Sequence, residues 1–157
     1  MGIFRGSTPQ ILQDLGVAGI TYQVTLTLTP EQIRSLNTLP VDIAVPANAN
    51  TFLAPGQCVF VGAQGSGAYS AAIRPALQYS DATVVCEIDD DTWDGSASQL
   101  AVASDPFQIF DSGSVSVWLP QVGLSLQVVS AGTDVTDGDA PCTIILTFTS
   151  YDLTGLL

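Results

Sequence analysis

Thr21-Tyr22-Gln23-Val24-Thr25-Leu26-Thr27-Leu28 decides the fold of this chain. Side chains of an extended strand alternate between its two faces. Tyr22, Val24, Leu26 and Leu28 fall on one face here, and threonines and Gln23 on the other. That pattern predicts a strand with one face buried. The next residues, Thr29-Pro30-Glu31-Gln32-Ile33-Arg34-Ser35-Leu36, stop it. Thr29 is placed to cap a helical turn, Pro30 to open it, and Gln32 to complete a capping box. Ile33 and Leu36 then share an inward face. Beyond the turn, Pro40 and Pro46 bracket Val41-Asp42-Ile43-Ala44-Val45, a short strand of edge type.

The rest of the chain continues in the same style. Ala47 to Gly56 reads as a polar turn, and Gln57 to Gly62 as a strand. Gly62 to Gly67 is a glycine-rich loop. Ala76–Ser80, Thr83–Ile88, Gln99–Val102, Phe107–Phe110, Ser114–Leu119, Gly123–Val129 and Thr143–Tyr151 are the further strand candidates. Asp137-Gly138, within Thr136–Asp139, carries the strongest short hairpin signal. Short strands at about ten-residue spacing are the mark of a sandwich or barrel, here a β-sandwich of about eight strands. No repeat and no linker divides them.

The first residues differ. Residues 1–19 show no strand alternation. Pro9 to Gly16 is compatible with one or two helical turns that place Ile11, Leu12 and Leu15 on one face. A helix that short is not stable alone, so the face must pack on its own domain or on a neighbour. Residues 1–19 are read as an N-terminal arm, and residues 20–157 as a single β-sandwich domain.

Composition removes much of the enzyme repertoire. The chain has three basic residues, Arg5, Arg34 and Arg74, no histidine and no lysine, against 15 carboxylates, for a formal charge of -12. The commonest general base and metal ligand, the Schiff-base amine and the P-loop cation are therefore missing. So is the basic patch that nucleic acid or an anionic membrane requires, and neither is expected as a partner. Charged residues make up only 11% of the chain, against about 25% in ordinary soluble domains. A neutral polar surface of that kind suits a protein held against other protein. Mean hydropathy is +0.38, yet no apolar run reaches the ~18 residues that span a bilayer. The start of the chain lacks the pattern of a signal peptide. A soluble chain made in a cytoplasm is expected. Cys58, Cys86 and Cys142 form no metal-binding or redox spacing and are read as buried thiols.

Four sites have a chemistry to consider. Gly62 to Gly67 resembles a phosphate cradle but lacks the Gly-Lys-Ser/Thr ending, so a hairpin loop is the competing reading. Asp90, Thr92, Asp94 and Gly95 match the opening positions of a calcium loop, with Ser96 and Ser98 following. The closing glutamate is replaced by Ala101, which leaves an irregular cation site at Asp90, Thr92 and Asp94, or else a solvated acidic turn. Trp93, beside Asp91 and Asp94, is either a platform for a sugar ring or a buried anchor for its loop. A carboxylate-dependent hydrolase needs two acids facing across a groove, which spacing alone does not supply. No catalytic residue and no cofactor is assigned.

Residues Thr25 to Pro46 are similar to a pattern in small tailed-bacteriophage virion proteins. There a strand enters a helical turn and then a Pro-Val-x-Ile/Leu-x-x-Pro segment, here Pro40-Val41-Asp42-Ile43-Ala44-Val45-Pro46. Thr136–Asp139 followed by Thr143–Leu153 resembles the closing hairpin and final strand of the same class. The resemblance covers about a third of the chain, at its two ends. It implies a jelly-roll-like sandwich that decorates or cements a capsid, usually as a homotrimer, with the phage major capsid protein as partner. Some members of the class sit on tails. The expected contacts are Ile3, Phe4, Ile11, Leu12 and Leu15 in the arm and Leu156 and Leu157 at the end, with Leu153 beside them. The acidity favours the outer capsid surface over the DNA-filled interior. The alternative is a tail-associated host-attachment or carbohydrate-binding module built on Trp93 and the acidic loop.

Overall fold

A computed structural model describes residues 18–71, 73–88, 93–103 and 121–156. Among them are β1 (Gly19–Leu28), a five-residue helix α1 (Pro30–Arg34), β2 (Val41–Ala44), β3 (Thr51–Gly62), β4 (Pro75–Tyr79), β5 (Val84–Glu87), β6 (Gln99–Ala103), β7 (Leu126–Ser130) and β8 (Cys142–Asp152). They form two antiparallel four-stranded sheets. Sheet A has the order β1-β8-β3-β6 and sheet B the order β2-β7-β4-β5.

The pairing is nested. The first strand pairs with the eighth, the second with the seventh, the third with the sixth and the fourth with the fifth. The described strands thus form one long antiparallel ribbon, rolled so that β3 also meets β8 and β4 also meets β7. This nesting is that of a jelly roll, one form of the β-sandwich that the sequence predicts.

Register follows from alternation. Val24, Leu26 and Leu28 of β1 lie opposite Leu146, Ile144 and Cys142 of β8, and Phe60 of β3 also lies opposite Ile144. All seven point into the core, which Leu77, Tyr79, Leu126 and Val128 close from sheet B. Burial along β1 rises from the exposed Tyr22 to the fully buried Leu28. A slip of one residue would turn this whole row outward, which is why the register is well specified.

The turn after β1 forms as its residues dictate. The Thr29 backbone N–H donates to Gln32 Oε1 at 2.9 Å, and the Gln32 N–H donates to Thr29 Oγ1 at 3.3 Å. Ile33 and Leu36 are buried.

Three expectations are corrected. Thr51 to Gly56 is strand, not turn: β3 runs for 12 residues and absorbs Pro55-Gly56 in a register shift between Pro55 and Cys58. A proline without an N–H is tolerated at such a bulge, and β6 pairs with Cys58–Gly62 only. Gly19, placed in the arm, is the first residue of β1 and lies opposite Tyr151. Asp137-Gly138 does not join a hairpin, because β7 belongs to sheet B and β8 to sheet A. It turns the chain from one sheet to the other. The expected strands Phe107–Phe110 and Ser114–Leu119 lie outside the described residues.

Candidate interaction surfaces

The nested topology gathers four connections at one end of the sandwich: β1–β2, β3–β4, β5–β6 and β7–β8. Side chains of the last connection tie the first two down. Asp139 Oδ1 accepts the Gly67 N–H at 2.9 Å, and its Oδ2 accepts the Ser66 hydroxyl. Asp137 Oδ1 accepts the Ser70 N–H at 2.6 Å. Asp134 accepts both the Asn37 N–H at 2.9 Å and the Thr38 hydroxyl at 2.5 Å. Arg34 Nη1 donates to the Gly138 carbonyl at 2.9 Å, and Nη2 reaches Glu31 at 3.3 Å.

These bonds hold the ionised acids in place. The Ser66 hydroxyl, ahead of the Gly67 N–H, lowers the Asp139 carboxyl below its ordinary value. The Thr38 hydroxyl lowers Asp134 in the same way, and Ser96 lowers Asp94. The glycine-rich loop is therefore no phosphate cradle. The Gly67 N–H that an anion would use is already held by Asp139, and the Gly65 N–H by the Gly95 carbonyl at 2.9 Å.

Trp93 sits beneath this network, 2% exposed. Phe60 meets it edge-on at 5.3 Å and Tyr69 at 5.7 Å. Its Nε1–H donates to the Ala97 carbonyl at 3.1 Å. A side-chain carbon at Gly62 would stand 2.6 Å from the indole ring, so the strand leaves that position bare to admit it. The ring has no face open to a sugar, which corrects the stacking-platform reading and leaves Trp93 as the anchor of its loop. Of the candidate cation ligands, Asp90 and Thr92 lie outside the described residues. Asp94 caps its own turn, accepting the Ser96 N–H at 2.9 Å. No group of three or more metal-ligating side chains occurs among the described residues.

The cysteines are free. Burial pushes Cys58 and Cys142 up to about 12, and Cys86 up to about 11. A thiol at such values is a poor nucleophile at neutral pH.

Of the expected contact residues, Leu153 is buried at 4% and belongs to the core, whereas Leu156 is 56% exposed. Ile3, Phe4, Ile11, Leu12, Leu15 and Leu157 lie outside the described residues.

One surface was not singled out by sequence reading. Odd-numbered positions 21–27 of β1 and 143–149 of β8 face outward from sheet A, together with Val59 and Val61 of β3 and Leu100 and Val102 of β6, whereas Tyr151 is buried. Leu100 is 67% exposed, Val102 52% and Val61 38%. The signal was available in the alternation of β3 and β6, where both the inward and the outward sets are apolar. Across this face the residues are threonine, glutamine, valine, isoleucine and leucine, with no charge. No family model matches the sequence, and no curated protein is similar to it.

Proposed function

We propose that this chain is a non-enzymatic structural protein of a phage virion, decorating or cementing the capsid through contacts with its own copies and with the major capsid protein. The observation that carries the reading is the uncharged, open face of sheet A on a chain of net charge -12. A sheet face that carries no ion among the described residues and exposes Leu100 and Val102 suits contact with protein. The end-of-chain resemblance to tailed-phage virion proteins and the jelly-roll architecture support the same reading. The acid-rich loop end offers hydrogen-bonded carboxylates that hold loops, and the thiols of Cys58 and Cys142 are buried and that of Cys86 half-buried, so neither feature favours catalysis.

In this reading the protein sits on the outer capsid surface as a homotrimer. Many copies on one shell give avidity beyond any single contact. The arm, with Ile3, Phe4, Ile11, Leu12 and Leu15, makes the coat contact, and Leu156 and Leu157 add a second one. An attachment module would need a surface other than Trp93, whose ring is enclosed.

Co-sedimentation with empty capsids tests the reading. The full chain is expected in the pellet. A chain lacking residues 1–17 is expected in the supernatant, with an unchanged circular dichroism spectrum because the cut falls before β1. Full-length protein that stays in the supernatant overturns the capsid reading. Binding retained by the shortened chain overturns the role of the arm alone.

A further inference from the structure

We infer that a second copy of this chain docks on the outer face of sheet A, on its β6 side. The register sets two rows straight across the four strands. One is Thr25, Ile145, Val59 and Val102. The other is Thr27, Thr143, Val61 and Leu100. Moving from β1 to β6, each row passes from threonine to large aliphatic side chains. The most exposed of these, Leu100 and Val102, stand on β6, the outermost strand of the sheet among the described residues. A contiguous exposed apolar patch rimmed by polar residues marks a contact surface.

Charge selects the occupant. The described carboxylates lie elsewhere: in α1, on sheet B, in the loops at either end, and at Asp152 at the opposite end of β8. A basic partner would be drawn to those acids and not to a face that carries none. A second copy brings its own charge of -12. For two such chains, the neutral face is where approach costs least. Desolvation is also cheap here, because Thr27 and Thr143 already bond each other at 3.0 Å across the strands. The contact buries the aliphatic side of this face while its threonine side forms the rim.

This inference deepens the self-association in the capsid reading, but it stands on the free protein. Sedimentation equilibrium of the full chain tests it. Wild type is expected to assemble at micromolar concentration. The Leu100→Glu/Val102→Glu double variant is expected to dissociate at concentrations roughly tenfold higher or more, because each association would bury unpaired carboxylates. Leu100→Thr/Val102→Thr, which keeps the strand-favouring shape, is expected to fall between the two. Val84→Glu, at a position 60% exposed on β5 of the other sheet, is expected to assemble like wild type. Circular dichroism and thermal melts establish which variants are folded. Should the glutamate pair unfold the chain, the threonine pair decides. A wild type that stays monomeric up to roughly millimolar concentration overturns the inference. So does assembly undiminished in the folded double variant. Protein that assembles through this face yet ignores capsids overturns the capsid reading alone.

Discussion

Trp93 fills the space between Phe60 and Tyr69 and closes the loop end of the core. Replacing it with alanine should cost about 3–5 kcal/mol of stability, the usual range for a buried aromatic, read as a lower urea midpoint. Gly138 is subject to two constraints. Its φ is +92°, and a side-chain carbon there would stand 2.2 Å from the Tyr69 ring. Gly138→Ala should therefore destabilise by more than about 1 kcal/mol in the same titration, since backbone strain and a steric clash add. Asp139 governs the response to acid. Its carboxyl, with those of Asp94, Asp134 and Asp152, is held below the ordinary aspartate value in the folded chain. The unfolded chain takes up protons first as pH falls. The stability these groups contribute is full above the unfolded value and is lost as pH drops through the lowered folded one. Melting temperature should hold steady from pH 7 to about 5 and fall below the ordinary aspartate range near 3.9. Asp139→Asn should begin less stable at pH 7 and lose less on acidification. An unchanged slope would show that the loop clamp is not what titrates.

The elements whose form was legible in sequence are those where one local rule acts alone. β1 alternates because sheet A buries only one of its faces, and α1 forms because Thr29 and Gln32 cap each other. Thr29→Ala should lower stability by about 1 kcal/mol through loss of that cap, measurable by thermal melting. The first half of β3 was not legible. Pro55-Gly56 has turn composition, and only its pairing with β8 shows that a bulge absorbs the two residues without ending the strand. Asp137-Gly138 has hairpin composition too. What it joins depends on which sheet takes β8, and that is settled by strands far away in sequence. The site was less legible than the fold for a related reason. A lone tryptophan in a loop has no periodicity to report its burial. Similarly, an outward valine on β3 looks like a core valine until β6 is set beside it.

At the scale of the whole molecule, 15 carboxylates face three arginines, so self-repulsion works against the compact state. Added sodium chloride should raise the melting temperature and strengthen self-association together, since screening relieves both. A fall in either with salt would argue that specific ion pairs matter more than net charge. The nested ribbon has one further consequence, and it concerns synthesis. β1 is among the first strands to leave a ribosome, yet its partner β8 is the last. β8 also stands between β1 and β3, so sheet A has no continuous ladder until the final segment emerges. During translation β1 waits as an uncharged, threonine-rich strand with both edges unpaired. Such topologies, dominated by distant pairings, fold slowly. Sheet A cannot close before β8 has emerged, and a nascent chain arrested before Cys142 should remain open to protease however long it is held.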